Sequence, residues 1–215
     1  MQRGNSILSS HRSLLGRYCV VIRTVAILFC FIAVVPVSAA DITVTAVRLR
    51  PAEGLHPTLA EITINGELTI KEIEIRTVGG RLDVRFPEYI SRRGRVYPQI
   101  RLVSRQAHDA VYAALTAKTP SRTSYSSLSY AVTEWKIITA KSKIKAVATV
   151  SFNDAVAIEC KVIATKFGLW VAWPARQPSG GGKWIDQVNF LDARLKDAIT
   201  KDILRRHQQS QDNSS

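Results

Sequence analysis

The sequence predicts an α+β chain made of two tandem copies of one module, each an antiparallel sheet with a C-terminal helix packed on one face. Three observations lead there. Apolar residues alternate with a period of two through several short segments and then switch once to helical spacing. That series occurs twice, 88 residues apart at its start and 87 in its middle. The first forty residues differ in composition from everything that follows. Strands that run into a single helix, without helices alternating between them, point to α+β and away from a parallel α/β sheet.

Residues 1–40 form a separate segment. Arg3, Arg12, Arg17 and Arg23 stand where there is no acidic residue, an apolar run from Val25 to Val35 follows, and Pro36-Val-Ser-Ala-Ala40 ends it. Basic region, short apolar core and small-residue site are the order of a secretory signal peptide. The run is shorter than the roughly 20 residues that span a bilayer, which favours cleavage after Ala39 or Ala40. An uncleaved anchor made by residues 18–38 and oriented by the arginines is the alternative. The expected location is periplasmic or secreted, or tethered to the inner membrane; a misassigned start would make the protein cytoplasmic.

Module one is expected over residues 41–118. Val44 and Ala46, Ile62 and Ile64, Leu68 and Ile70, Ile73 and Ile75, and Leu82, Val84 and Phe86 mark period-2 strands. Asn65-Gly66 is a hairpin signal because both residues tolerate positive φ. After Pro87 and a basic loop, Ala107, Ala110, Val111, Ala114 and Leu115 fall on one face of a helix from Ser104 to Ala117, with Ser104 as N-cap. Residues 119–130, rich in Ser and Thr and without apolar period, read as a linker.

Module two, residues 131–206, repeats the plan, and residues 207–215 read as a disordered tail. Val44-Thr-Ala-Val-Arg-Leu49 aligns with Val132-Thr-Glu-Trp-Lys-Ile137, Ile62-Thr-Ile-Asn-Gly66 with Val150-Ser-Phe-Asn-Asp154, and Leu82-Asp-Val-Arg-Phe-Pro87 with Leu169-Trp-Val-Ala-Trp-Pro174. The change of spacing places a one-residue deletion near the Asn153-Asp154 turn. The second helix is expected from Asp192 to Arg205, with Leu195, Ala198, Ile199 and Ile203 inward and Asp192 at the dipole-favoured end. A module of about 75 residues has a marginal core, so the copies should bury surface against each other, and a tandem chain can close as an internal pseudo-dimer. All four tryptophans, Trp135, Trp170, Trp173 and Trp184, fall in the second copy. They are expected to fill core and inter-module contacts; an exposed Trp170 or Trp184 would instead suit stacking on unpaired bases.

The chain carries 30 Lys and Arg against 17 Asp and Glu, a formal charge of +13, which favours an anionic partner such as nucleic acid, phospholipid or acidic polymer. Four of the basic residues and none of the acidic ones lie in the leader, so residues 41–215 keep +9. The clearest candidate site is the pair of basic loops after the Pro-ended strands. One carries Arg92, Arg93 and Arg95 with Arg101 beyond; the other carries Arg176 and Lys183 around glycines. Such loops can follow a phosphate backbone without reading bases.

Enzymatic and metal chemistry find little support. Cys160 is the one cysteine after the leader, so no intrachain disulfide forms there, and no His/Cys spacing suits a metal. Ser179-Gly-Gly-Gly-Lys183 fails as a phosphate loop, because Gln177 and Trp184 occupy the places of the first glycine and the magnesium-binding hydroxyl. His56, His108 and His207 read as surface residues with no nucleophile motif nearby. No cofactor is expected.

The modules resemble the SpoVG family of small bacterial proteins named for sporulation and septation. The resemblance is carried by Val44-Thr-Ala-Val-Arg-Leu-Arg50, the strand Ala60-Glu-Ile-Thr-Ile64, Gly168-Leu-Trp-Val-Ala-Trp-Pro174, the Gly-containing basic loop after that proline, and the Asp-Ala-Val/Ile helix. It implies a non-enzymatic, dimer-forming domain that binds DNA or RNA and modulates septation or gene expression, with self-association between modules or chains. It also implies that the segments entering the helices, Leu102–Gln106 and Phe190–Arg194, influence which nucleic acid is preferred, which adds Arg105 and Arg194 to the candidate contacts. The leader and this ligand point to different compartments. The alternative is an exported envelope protein that reuses the fold to bind protein or anionic polymer, in contact with membrane or envelope and without nucleic acid.

Overall fold

The computed structural model describes residues 42–51, 57–91, 93–120, 125–178 and 181–212; the leader expected over 1–40 lies outside them. The first half runs through strands β1 (Val44–Arg50), β2 (Thr58–Ile64), β3 (Leu68–Val78), β4 (Arg81–Arg85), β5 (Glu88–Ile90), β6 (Val96–Pro98) and β7 (Ile100–Leu102) into helix α1 (Arg105–Ala117). The second runs through β8 (Tyr130–Ile137), β9 (Ile144–Phe152), β10 (Val156–Thr165), β11 (Gly168–Ala172), β12 (Ala175–Arg176), β13 (Ile185–Asp186) and β14 (Val188–Phe190) into α2 (Ala193–Asp212). Every sheet is antiparallel and each half ends in a helix, the α+β class that the periodicity predicts.

Each half lends a strand to the other's sheet. In the first sheet β1, β2 and β3 lie side by side; β4 pairs with the end of β3, and the start of β3 is covered by β14, with Val188 opposite Ile70 and Phe190 opposite Leu68. In the second sheet β8, β9 and β10 repeat the order, β11 pairs with the end of β10, and β7 covers its start, with Ile100 opposite Ile158 and Leu102 opposite Val156. The exchanged strand then leads directly into a helix. Helix α1 packs on β1 and β7. Helix α2 packs on β11 and β14 and ties to β8, where the Tyr130 hydroxyl donates to Asp202 at 2.7 Å.

One continuous core results, because the exchange forbids two separate ones. Ile62, Ile64, Leu68, Ile70 and Val111 from the first half and Val150, Phe152, Ile158, Ile199 and Ile203 from the second are wholly removed from water in the same cluster. Phe190 of β14 sits 6.0 Å from Phe152 and 4.7 Å, edge-on, from Trp173. At about 1.5–3 kcal/mol for each large apolar side chain buried, this shared core relieves the marginal burial expected of either half alone.

The two first hairpins are built alike. Asn65 and Gly66 have φ of 47° and 66°, Asn153 and Asp154 have 49° and 51°, the positive pair that matches strand twist in a two-residue turn. Each Asn also fixes the chain upstream of its sheet: Asn65 Oδ1 accepts from Thr43 N at 2.7 Å, and Asn153 Oδ1 accepts from Ser129 N at 2.8 Å. Glycine is needed at 66 for a second reason, since a Cβ there would lie 2.7 Å from the Tyr125 hydroxyl oxygen.

That contact corrects the linker reading. Residues 121–124 lie outside the described residues, but 125–129 dock on the first turn: Asn65 Nδ2 donates to Ser126 O, Leu128 N donates to Glu67, and Leu128 is buried. The tail expected from 207 is likewise helical to Asp212, and His207 is buried 6.2 Å from Trp135, not on the surface. Helix α1 starts where its N-cap predicts, with Ser104 Oγ accepting from Ala107 N at 3.0 Å.

Two details of the repeat alignment also shift. Residues 68–70 and 73–75 belong to one strand, β3, interrupted by a bulge at Lys71–Glu72 where Glu72 has φ of 60°. The turns are the same length in both halves, so the unmatched residue is this bulge in the first half and not a deletion at Asn153-Asp154. The outer strands are two residues out of step with the alignment: Leu49 faces Ala60, but the residue facing the equivalent Ala148 is Trp135, not Ile137. Both strands carry bulges near their starts, which sequence comparison cannot register.

Cys160 is wholly buried in β10, and burial pushes its thiol up to about 12. The chain from Pro36 onward is a single compact unit that contains every described strand pairing, and Cys160 is its one cysteine. Residues 36–215 should therefore resist a thiol reagent at pH 8 and titrate one thiol once denaturant is added. Rapid labelling of the native protein would contradict the burial.

Candidate nucleic-acid interface

The basic loops after Pro87 and Pro174 are hairpins. β5 and β6 pair Glu88 with Pro98, Tyr89 with Tyr97 and Ile90 with Val96; β12 and β13 pair Ala175 with Asp186 and Arg176 with Ile185. The first tip is ordered by Ser91, whose O accepts from Gly94 N and whose Oγ accepts from Arg95 N, with Gly94 at φ of 72°. Arg93 and Arg95 project there, exposed, with no carboxylate partner among the described residues; Arg92 lies outside them. The second tip turns on Gly181 and Gly182, both at positive φ, and presents Lys183 and a 59% exposed Trp184.

Each hairpin touches the opposite half's sheet. In the first, Lys161 of β10 holds its Nζ 4.5 Å from the centre of the Tyr89 ring, a cation–π contact. In the second, Arg176 forks onto Glu72, Nη2 donating to Oε1 at 2.7 Å and Nε donating to Oε2. Glu72 is buried, and Arg50 at 3.5 Å and Gln187 at 3.5 Å complete its surroundings. This hydrogen bond outweighs burial, which acts the other way, and holds the Arg176 guanidinium even more firmly protonated than usual. Arg176 is thus turned onto a carboxylate of the first half, and its charge is neutralised where a phosphate contact was expected.

The remaining expected cations divide by partner. Arg101 on β7 pairs with Glu134 of β8 at 3.3 Å, and the Thr149 hydroxyl, which donates to the same carboxylate at 2.8 Å, is the first cause of its lowered pKa. Arg105, the first residue of α1, and Arg194, the second of α2, stand at the helix entries and are almost fully exposed; Arg105 lies 3.8 Å from Asp109 and Arg194 3.5 Å from Asp192. Exposed pairs of this kind are worth at most about 1 kcal/mol and yield readily to a phosphate. Neither helix has an acidic residue in its first turn, but Asp192 caps α2, its Oδ1 accepting from Arg194 N at 2.9 Å, so α1, capped by the neutral Ser104, keeps the stronger positive potential.

β6, β7 and α1 follow one another with almost no intervening chain, so Arg95, Arg101 and Arg105 lie along one continuous stretch, each step spanning at most about 20 Å. Lys183 and Arg194 have the same relation to β13, β14 and α2. Trp135 and Trp173 pack on the core as expected, while Trp170 and Trp184 are exposed. Two participants escaped the sequence reading. Glu72 lies at a bulge that nothing in its sequence neighbourhood marks, and the paired Tyr89 and Tyr97, rings 6.1 Å apart, stand 46% and 41% exposed on what reads as loop. The alternation Tyr-Ile and Val-Tyr around Ser-Arg-Arg-Gly-Arg was the available signal. Among the described residues no group of three or more His, Cys, Asp or Glu is placed to hold a metal, and no helix is long and apolar enough to cross a membrane.

Residues 130–209, from β8 through most of α2, match the SpoVG family model. The resemblance that the residues suggested is thus supported over the second half of the chain. No curated protein and no solved structure matches the chain.

The Glu72–Arg176 pair should behave as a partly buried brace and not as a surface ion pair. In a double-mutant cycle of Glu72→Gln and Arg176→Ala, unfolding should show a coupling on the order of 2 kcal/mol, below the 3–5 of fully buried pairs because the Arg176 side chain is 43% exposed. A coupling within the few tenths typical of exposed pairs would show that the fork contributes nothing.

Proposed function

We propose that the chain is a pair of fused SpoVG-like modules acting as a non-enzymatic, nucleic-acid-binding regulator linked to cell septation. The SpoVG match over residues 130–209 carries this reading. Support comes from the arrangement of both halves: the same strand order, the same Asn-based turn and a basic hairpin followed by an exchanged strand and a helix. In this reading one chain makes the association that two single modules would make, and the two hairpin tips and helix entries provide paired phosphate-binding segments. Arg93, Arg95 and Lys183 are the principal cations, Arg101, Arg105 and Arg194 the secondary ones, and Trp184 a stacking platform beside Lys183.

The test is binding of single-stranded and duplex oligonucleotides, DNA and RNA, across a salt series. Wild-type affinity should fall steeply with salt. Arg93→Ala, Arg95→Ala and Lys183→Ala together should weaken binding by about tenfold or more and make the log–log salt slope shallower by about 2 to 3, with unchanged thermal stability. Salt-insensitive binding, or a triple variant that binds like wild type, would remove the interface.

A second reading rests on the first forty residues, whose order of basic region, apolar run and small residues fits export. There the same domain would bind protein or an anionic polymer of the envelope. Mass spectrometry of the native N-terminus separates the two: a chain starting at Ala40 or Asp41 in the periplasmic fraction supports export, and an intact Met1 in the cytoplasm overturns it.

A further inference from the structure

The second sheet ends in a cationic edge that the interface above does not use. The end of β8, the start of β9, the end of β10 and the start of β11 all meet there: Ile138 N donates to Lys145 O at 2.9 Å and Ala164 N donates to Lys143 O at 2.8 Å, which brings the 138–143 connection beside the 165–168 turn. Lys136, Lys141, Lys143, Lys145 and Lys166 fall at this end. Residues 135–153 and 160–185 contain no acidic residue, and none of these five lysines pairs with a carboxylate among the described residues.

At its tip stands an apolar side chain in water. Phe167 is 89% exposed. The turn that carries it is fixed: Thr165 Oγ1 accepts from Phe167 N at 3.2 Å and donates to Gly168 O at 3.0 Å, and Gly168 has φ of 115°, a conformation that favours glycine. Lys166 holds its Nζ 4.9 Å from the ring centre. Leu169 and Trp170, 43% and 48% exposed, follow on the same edge. The equivalent turn in the first sheet, Val78-Gly-Gly-Arg81, has neither aromatic ring nor lysine, so the repeated architecture does not require this chemistry.

We propose that this edge docks on the surface of an anionic phospholipid bilayer, the lysines lying among headgroups and Phe167 entering the acyl boundary. A ring presented outward on a rigid turn and surrounded by ammonium groups on long stems has the form of an interfacial anchor. Nucleic acid is the less suitable occupant. Its platforms line up successive aromatic faces along a groove, whereas this edge projects one ring from a convex turn and offers lysine point charges with no arginine fork. A leader of the kind expected over residues 1–40, with its arginines and the run Val25–Val35, would bring the same chain to a membrane.

The test uses residues 36–215, the compact unit without the leader, in co-sedimentation with phosphatidylcholine vesicles with and without phosphatidylglycerol. The wild-type chain should bind only the anionic vesicles, and Lys141→Glu, Lys143→Glu and Lys166→Glu together should cut that binding at least tenfold. Phe167→Ser should weaken it several-fold with its salt dependence retained. Because Cys160 is buried, F167C can be labelled selectively with an environment-sensitive dye, whose emission should shift to the blue on anionic vesicles. Absence of wild-type binding, an unshifted dye, or lysine variants that lose oligonucleotide binding while keeping vesicle binding would overturn the proposal.

Discussion

The reciprocal exchange of β7 and β14 is the constraint on which the rest of the structure depends. Each strand enters the other half's sheet through a buried glutamine: Gln99 O accepts from Glu159 N and Gln187 O accepts from Lys71 N, both at 2.8 Å, and each glutamine's own N donates to the carbonyl of the proline that precedes its hairpin. Without the exchange, the first residues of β3 and β10 would be open apolar edges, the form that invites pairing with another chain. With it, the two edges close each other. The exchange also explains why each basic hairpin touches the opposite sheet, since the chain crosses over immediately before the strand it lends. The basic hairpins and helix entries are thereby positioned by residues from both halves at once.

Much of this was legible in the sequence, for local reasons. Period-2 alternation located the main strands, Asn65-Gly66 and Asn153-Asp154 located the turns, and Ser104 located the start of α1. These features depend on neighbours within a few residues. The exchange depends on none. β7 and β14 are three-residue strands, too short for a period to be read, and their partners lie 54 to 122 residues away in sequence. The hairpin strands were hidden by the arginines and glycines between them. Arg176 was misplaced for the same reason: a guanidinium in a glycine-bearing loop looks solvated until its partner 104 residues away is known.

Glu72 shows how one residue can distinguish otherwise similar halves. Its positive φ is costly for a non-glycine residue, and the second half manages the same sheet without it. What the bulge achieves is to turn a carboxylate inward at the one place where the second hairpin arrives, so that Arg176 finds a charge partner in addition to a ladder of two residue pairs. The first hairpin, with three residue pairs and its Tyr89–Tyr97 contact, needs only the Lys161 cation–π contact. The longer ladder has the weaker brace.

That asymmetry extends to charge. A chain that is basic overall looks uniformly attractive to any polyanion, but the folded halves separate its cations into three kinds. One kind, represented by Arg176, is tied to a buried carboxylate that braces a hairpin against the opposite sheet. Others stand at the hairpin tips and near the helix entries of both halves. Of the lysines around Phe167, Lys136 alone, opposite Val147, has a basic counterpart in the first sheet, Arg50 opposite Leu59. In the proposed fused pair, duplication would account for the second kind, because such a pair inherits whatever one module carries. It does not account for the third. A cationic edge present in one copy only has either been gained there or lost from the other, and in both cases it is subject to a requirement that the paired hairpins do not share.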